Sequence, residues 1–431
     1  MSPTSEVIDG TRKSRSASAG DMSHSVYCFA TDVLDEGAEA VLSNLQERAG
    51  VGGVTMAVKY HMVRDVYPHN LERRVASLGA GVYYRPALES YAGEPLSPTV
   101  APAANGRDAL EELCTAASSR LMSVGAWAVL LHSDEPDTSA AAAQHNCFGD
   151  VSAGTLCPAN AAVVRFCRRM VEEICSYPID VVRCESAHFH GFHHGHHHER
   201  LLEEIDAAAL FLLGLCFCES CMARARSADV DADRFRETVK DVVEGGFSDR
   251  SSSRAAKDQD LSPERLMDVC GGAEILPYLE VRERSVAAFQ DAVAEAAIRA
   301  GKRMTFIDQT VPDGARTHGA LPTEAESAIS RWRLGANPFA SGGTDKGTEL
   351  AGYVAEAGDM ERLVSSYRKA LPDASELSLI LRPGPPDCDG TENLAAKVAL
   401  AEQAGCAEVS FYNYGLYRLD VLDRIRSAVA S

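Results

Sequence analysis

Short apolar runs alternate with amphipathic stretches along most of this chain. Residues 26–30, 54–60, 127–132, 179–185, 304–308, 350–355, 377–381 and 409–412 are rich in β-branched and apolar side chains and read as strands. Helical periodicity marks residues 161–175, 286–300, 360–371 and 391–404. Strands alternating with helices at this spacing imply parallel pairing through right-handed crossovers. Eight such units predict an α/β chain closed into a (β/α)8 TIM barrel over residues 24–431. An open doubly wound sheet is the alternative, but no Gly-x-Gly-x-x-Gly turn follows the first strand.

Two loops are long. Residues 61–107 extend the loop after the second strand, and residues 79–85 within it are a ninth strand candidate, expected as a hairpin arm. Residues 219–262 form an insertion after the fourth strand, ending in a Ser/Asp/Lys-rich stretch at 248–260. Residues 1–23 are rich in Ser and Thr, lack the apolar core of a secretory signal, and are expected to be a disordered tail on a cytoplasmic protein.

Composition narrows the partners. At 431 residues and 45% hydrophobic content the chain can fill one large core. The formal net charge of −20 argues against a nucleic-acid ligand, which needs a basic face. No apolar run reaches the roughly 18–20 residues of a membrane helix. A homo-oligomer is compatible with these features. The 13 cysteines, odd in number and without an export signal, are expected to be reduced.

The chemistry concentrates between residues 179 and 221. Ile179-Asp180-Val181-Val182-Arg183-Cys184 reads as a buried strand, and Glu185 stands where it ends. In a parallel barrel, reactive groups project from the C-terminal ends of strands, so Glu185 is a catalytic candidate. Further along, Cys216-x-Cys218-x-x-Cys221 places three thiols within six residues. Tetrahedral zinc needs four soft ligands, and such spacing supplies three at little ordering cost. Cys147, Cys157, Cys175, Cys184 and several histidines could supply the fourth. Cys157 is favoured because Leu156-Cys157-Pro158-Ala159-Asn160 forms a turn before a helix. Four thiolates close the coordination sphere, so this zinc would be structural.

Phe148-Gly149-Asp150 and Leu156-Cys157-Pro158-Ala159-Asn160, followed by Cys-x-Cys-x-x-Cys, resemble the zinc-bearing β-galactosidases of glycoside hydrolase family forty-two over residues 146–221. The resemblance implies a barrel enzyme with zinc on Cys157, Cys216, Cys218 and Cys221, and Glu185 as acid/base. Two positions depart from that family. Cys184 stands where its asparagine precedes the glutamate, and no glutamate ends the seventh strand, where the nucleophile belongs.

After Glu185 comes a histidine run: His188, His190, His193, His194, His196, His197 and His198. Imidazoles there can recognise a ligand, hold a catalytic metal, or remain solvated. Other pocket candidates are His61, His132, Asn413 and Tyr414 at strand ends. Tyr60-His61, Arg64-Asp65 and Pro68-His69-Asn70 form a polar set suited to sugar binding. Glycoside hydrolysis needs a second carboxylate. Asp308 is the first choice, with Asp387 and Asp389 as rivals. The expected function is carboxylate acid/base catalysis on a sugar or glycoside, with substrate contacts from His61, His132, His188, His190, His194, Asn413 and Tyr414. Two alternatives stay open: a metal-dependent lyase, isomerase or hydrolase using the histidine run, and a non-catalytic carbohydrate-binding barrel.

Overall fold

The structure is a computed structural model, and it describes residues 22–134, 140–192, 200–202, 205–248, 261–272, 274–310, 324–338, 346–372 and 375–430. Eight parallel strands, β1 (Ser23–Cys28), β2 (Gly53–Tyr60), β3 (Ser123–Val129), β4 (Val181–Glu185), β5 (Arg303–Asp308), β6 (Gly347–Ala351), β7 (Leu377–Leu381) and β8 (Glu408–Phe411), pair in chain order. The circle closes between β1 and β8, with Ser23 opposite Glu408 and Val26 opposite Phe411. This is the expected (β/α)8 barrel. Strand β1 begins at Ser23, and residues 1–21 lie outside the described residues. Among the described residues no helix is long and apolar enough to cross a membrane.

Alternation along each strand sorts side chains between two cores. Val26, Cys28, Val54, Met56, Val182, Cys184, Leu379 and Leu381 point outward and pack under the helical layer. Tyr27, Phe29, Ala57, Trp127, Val129, Ile307 and Ile380 point inward and fill the upper barrel. The lower interior is ionic. Arg183 bridges Glu349 at 2.8 Å and Glu408 at 2.6 Å, while the Tyr27 hydroxyl donates to Glu349 at 2.7 Å. Two carboxylates on one guanidinium keep every charge in the barrel floor paired. Gly125 makes room in this narrow interior, because a Cβ there would stand 2.5 Å from the Thr55 hydroxyl.

The second loop differs from the expectation. Its hairpin is formed by Val63–Val66 and Val75–Leu78, not by residues 79–85. Gly81–Val82 instead pairs antiparallel with Tyr60 and Lys59 at the end of β2. Gly81 adopts φ +147°, and a Cβ there would meet the Ala101 backbone at 2.6 Å, so only glycine lets Thr99 and Ala101 bond to Val82. The insertion after β4 is helical around its own apolar core. Helices Ala207–Leu213, Glu219–Arg226 and Ala232–Ser248 pack Phe211, Leu212, Phe235 and Val239 against Tyr278 and Leu279 of the long helix Ile275–Arg299.

Candidate functional site

Val181, Arg183 and Glu185 share the inward face of β4, so Glu185 enters the barrel mouth above the ionic floor. Two side chains hold its carboxyl group. The Trp127 indole N–H donates to Oε2 at 2.8 Å, and the Gln309 amide donates to Oε1 at 2.8 Å. Trp127 comes from the inward face of β3, and Gln309 directly follows β5. Their positions place three neighbouring strands around one carboxyl group.

Aromatic rings wall the mouth. Trp127 meets Tyr27 at 5.3 Å, Tyr60 at 4.8 Å and Tyr412 at 6.0 Å between centroids. The Tyr60 and Tyr412 hydroxyls bond to each other, and burial, followed by the charge of Glu185, raises the Tyr412 hydroxyl far above its ordinary range. Arg382, just after β7, lies 3.9 Å over the Tyr353 ring and reaches Asp387 at 3.1 Å. Val63, Asp65 and Tyr67 face inward from the first strand of the hairpin, whereas Met62, Arg64 and Val66 are exposed. Asp65 is half-buried there, and burial raises its carboxyl group above the ordinary value. Flat apolar rings edged by hydroxyls and carboxylates suit a sugar, which offers C–H faces and hydroxyl rims.

Four imidazoles continue this wall. His61 stacks on Tyr60 at 4.3 Å and on His132 at 4.4 Å, and His190 lies 5.9 Å from His132 and 5.3 Å from His188. Burial, then the neighbouring His132, pushes His61 down to about 4. Asp134 is driven up by burial, but its bonds from His132 outweigh this and bring it to about 2. His188 and His190 are buried, and His188 bonds to the Phe189 carbonyl at 2.7 Å and to Gln309 at 2.8 Å. His194 lies outside the described residues.

The remaining candidates are placed apart. Asp308 follows inward-facing Ile307 and therefore turns outward, where Thr310 and the Tyr367 hydroxyl of helix Ala357–Ala370 bind its carboxylate. Asn413 is buried and accepts from the Gly415 amide at 3.0 Å. Tyr414 leaves the mouth through the turn Tyr414–Leu416 and donates to Glu36 at 2.7 Å, beside the His69 ring. Trp127 and Gln309, which both donate to Glu185, were absent from the sequence-based set. Trp127 had a readable signal, because it has the same strand parity as the floor residues.

Among the described residues, two groups of side chains could hold a metal ion. Cys157, Cys216, Cys218 and Cys221 are all buried, and Cys157 Sγ lies 3.5, 4.0 and 3.5 Å from the sulfurs of Cys221, Cys216 and Cys218. A tetrahedral ion with metal–sulfur bonds of about 2.3 Å separates its sulfurs by about 3.8 Å, so the set fits. Burial pushes the Cys157 thiol far up, while neighbouring thiols bond to Cys218 and hold it down. His61, His132 and Asp134 form the second group. Its rings are stacked 12° from parallel, so their in-plane lone pairs do not converge on one point as bound imidazoles require.

The cysteine cluster underlies Phe189, between His188 and His190. Phe189 packs with the four cysteines, Val286 and Leu334 in one buried cluster. Its amide bonds to the Leu334 carbonyl at 2.9 Å, and the Arg282 guanidinium lies 4.3 Å over its ring. Arg282 is fully buried and donates to the carbonyls of Trp332 and Arg333, bringing a positive charge beside four sulfurs.

No protein-family model matches the chain, and no curated protein matches its sequence. Among solved structures, the fold is similar to the catalytic domain of β-amylase from Paenibacillus polymyxa, with TM-score 0.53 and 11% identity over 94% of this chain and 95% of that one. A β-galactosidase from a Rahnella species matches with TM-score 0.48 and 9% identity over 96% of this chain and 56% of that one. A chitinase from Chromobacterium violaceum matches with TM-score 0.42 and 9% identity over 95% of this chain and 100% of that one. The β-amylase likeness shows a shared (β/α)8 barrel fold.

Proposed function

We propose that this protein is a glycoside hydrolase-type enzyme in which Glu185 is the general acid and base. The observation that carries this reading is the inward Glu185 carboxyl group, gripped by Trp127 and Gln309 inside an aromatic mouth at the C-terminal end of the barrel. Leaving-group departure from a glycoside requires a proton at the bridging oxygen, and a partly desolvated carboxyl group supplies it at neutral pH. Tyr60, Trp127 and Tyr412 would stack on or border the sugar, with His61, His132 and His190 along one rim. The second carboxylate would come from Asp65 on the hairpin or from Asp387 beside Arg382, since Asp308 is committed to Tyr367. The similar fold of the β-amylase catalytic domain supports a carbohydrate substrate.

We further assign a structural zinc to Cys157, Cys216, Cys218 and Cys221. It would clamp the turn before helix Ala161–Ile174 to the start of helix Glu219–Arg226 and support the Phe189 segment from below.

A panel of aryl glycosides tests the catalytic reading. Glu185→Gln should lower kcat by about 10²–10⁴ with the fold intact, the usual contribution of general acid catalysis. Turnover equal to that of the unaltered protein would refute the role. Asp65→Asn and Asp387→Asn, assayed alongside, separate the two candidates for the second carboxylate.

A further inference from the structure

The contacts around Gln309 form an unbroken chain whose hydrogen atoms can be counted. His188 Nδ1 lies 2.7 Å from the Phe189 carbonyl, which can only accept, so Nδ1 carries a proton. His188 Nε2 lies 2.8 Å from one end of the Gln309 amide, and Glu185 Oε1 lies 2.8 Å from the other end. The amide has one donating and one accepting end, and a half-turn exchanges them. It can satisfy both neighbours in two ways. With its oxygen toward His188, the imidazole must carry a second proton and Glu185 is a carboxylate. With its NH2 toward His188, the imidazole is neutral and Glu185 must donate an O–H to the amide oxygen.

Both arrangements contain one shared proton. Moving from the first to the second takes it from Nε2 to Oε1 while the amide turns, with no change in total charge. Removing the proton leaves two acceptors, the Nε2 lone pair and the carboxylate, against an amide that can donate to only one of them. With the amide turned to serve the carboxylate, Nε2 of buried His188 faces the amide oxygen with no proton between them, and an unmet acceptor there is costly, so the trio retains its proton.

We infer that Gln309 couples His188 to Glu185 as a single-proton relay, and that with neutral His188 the proton resides on Glu185 and keeps it a carboxylic acid. Burial favours neutral His188, and it outweighs the opposing pull of the Phe189 carbonyl, Gln309 and the Asp308 carboxylate on β5. Arg333, on helix Glu324–Leu334, also favours the neutral ring. His190 faces the same ring at 5.3 Å. On the other side, the Trp127 N–H donates to Oε2, which is the carbonyl oxygen of the protonated acid, so that bond persists in both arrangements. Tyr60 and Tyr412 face Glu185 from β2 and from the residue after β8.

Gln309 and His188 are thus positioning residues for the acid, and this assignment deepens the reading of Glu185 as a general acid while its test does not depend on turnover. The carboxyl 13C resonance of Glu185, identified by its loss in Glu185→Gln, is followed with pH together with the imidazole 15N resonances of His188. In the unaltered protein Glu185 should titrate well above the ordinary carboxylate value of about 4.3, with His188 remaining the Nδ1–H tautomer as it does so. In Gln309→Met, which keeps the side-chain volume, Glu185 should bind its proton at least tenfold more weakly. His188→Phe should do the same, and circular dichroism checks that each variant is folded. A Glu185 titration unchanged by Gln309→Met, or one near 4.3 in the unaltered protein, overturns the relay. A raised and Gln309-dependent Glu185 in a protein that cleaves no glycoside upholds the relay and refutes the enzymatic reading instead.

Discussion

The cysteine cluster and the Glu185 mouth both gather ionisable groups out of water, and they lie back to back across Phe189. They offset the cost of desolvation in different ways. In the cluster, four thiols face one another within bonding range of a single ion, and a buried Arg282 stands beside them. A tetrahedral ion bound there would have every ligand position filled from the chain, which leaves nothing to offer a substrate. At the mouth, Glu185 is gripped on both oxygens by Trp127 and Gln309 yet is not fully buried. Its surroundings hold the carboxyl group in place while leaving it reachable. A closed set of ligands suits stability, and a held but accessible carboxyl group suits chemistry.

The largest effect that could break this contrast is on stability. Replacing one thiolate ligand forfeits the binding of a structural ion, several kcal/mol against a folding margin of about 5–15 kcal/mol. Cys218→Ser should therefore lower the melting temperature sharply, and a chelator should lower that of the unaltered protein but not that of the variant. Elemental analysis should find about one zinc per chain in the former only. If the variant melts with the unaltered protein, the cluster is simply apolar packing. Glu185→Gln should leave melting almost unchanged, which sets the two regions apart in one assay.

A second, smaller effect comes from beneath the mouth. Arg183 is two residues before Glu185 on the same strand face, but it is fully buried between Glu349 and Glu408. Arg183→Met leaves two buried carboxylates without their cation, a change that costs about 3–5 kcal/mol. Denaturant titration should show that loss, while kcat per folded molecule changes little. A selective loss of kcat with stability intact would mean that the floor is part of the chemistry and not its foundation.

Most of the barrel was legible in the sequence because strand existence depends on local composition. All eight apolar runs became strands, although β6 begins at Gly347, three residues earlier than predicted. That shift hid Glu349. The grouping of the four cysteines was legible because Cys216, Cys218 and Cys221 are close in sequence and Cys157 lies in a turn before a helix. Orientation was harder to read. A parallel strand is buried on both faces, so Met304-Thr305-Phe306-Ile307-Asp308 carries no clear alternation, and Asp308 turned out to face the helices. Glu185 was easier, because Arg183 already marks the inward face of β4. Tyr414 was misplaced by a single turn after β8 that carries it toward Glu36. Gln309 could not have been found, since its importance lies only in the two groups it joins.

The smallest effect isolates the grip on Glu185. Trp127→Phe keeps a ring on the inner face of β3 but removes the N–H that donates to Oε2. A hydrogen bond to a neutral acid contributes about 0.5–1.5 kcal/mol, and one to a carboxylate about 1.5–3 kcal/mol. If Glu185 rests as an acid and becomes a carboxylate after giving up its proton, the indole contributes more in the second state. Removing it should then lower kcat by about tenfold, because each 1.4 kcal/mol of lost transition-state stabilisation is a factor of ten. Melting should fall only slightly, since the resting acid loses the weaker bond. A kcat that is unchanged while melting falls would show that Trp127 serves the aromatic wall alone, and the mouth would then be stabilised in the same manner as the cysteine cluster.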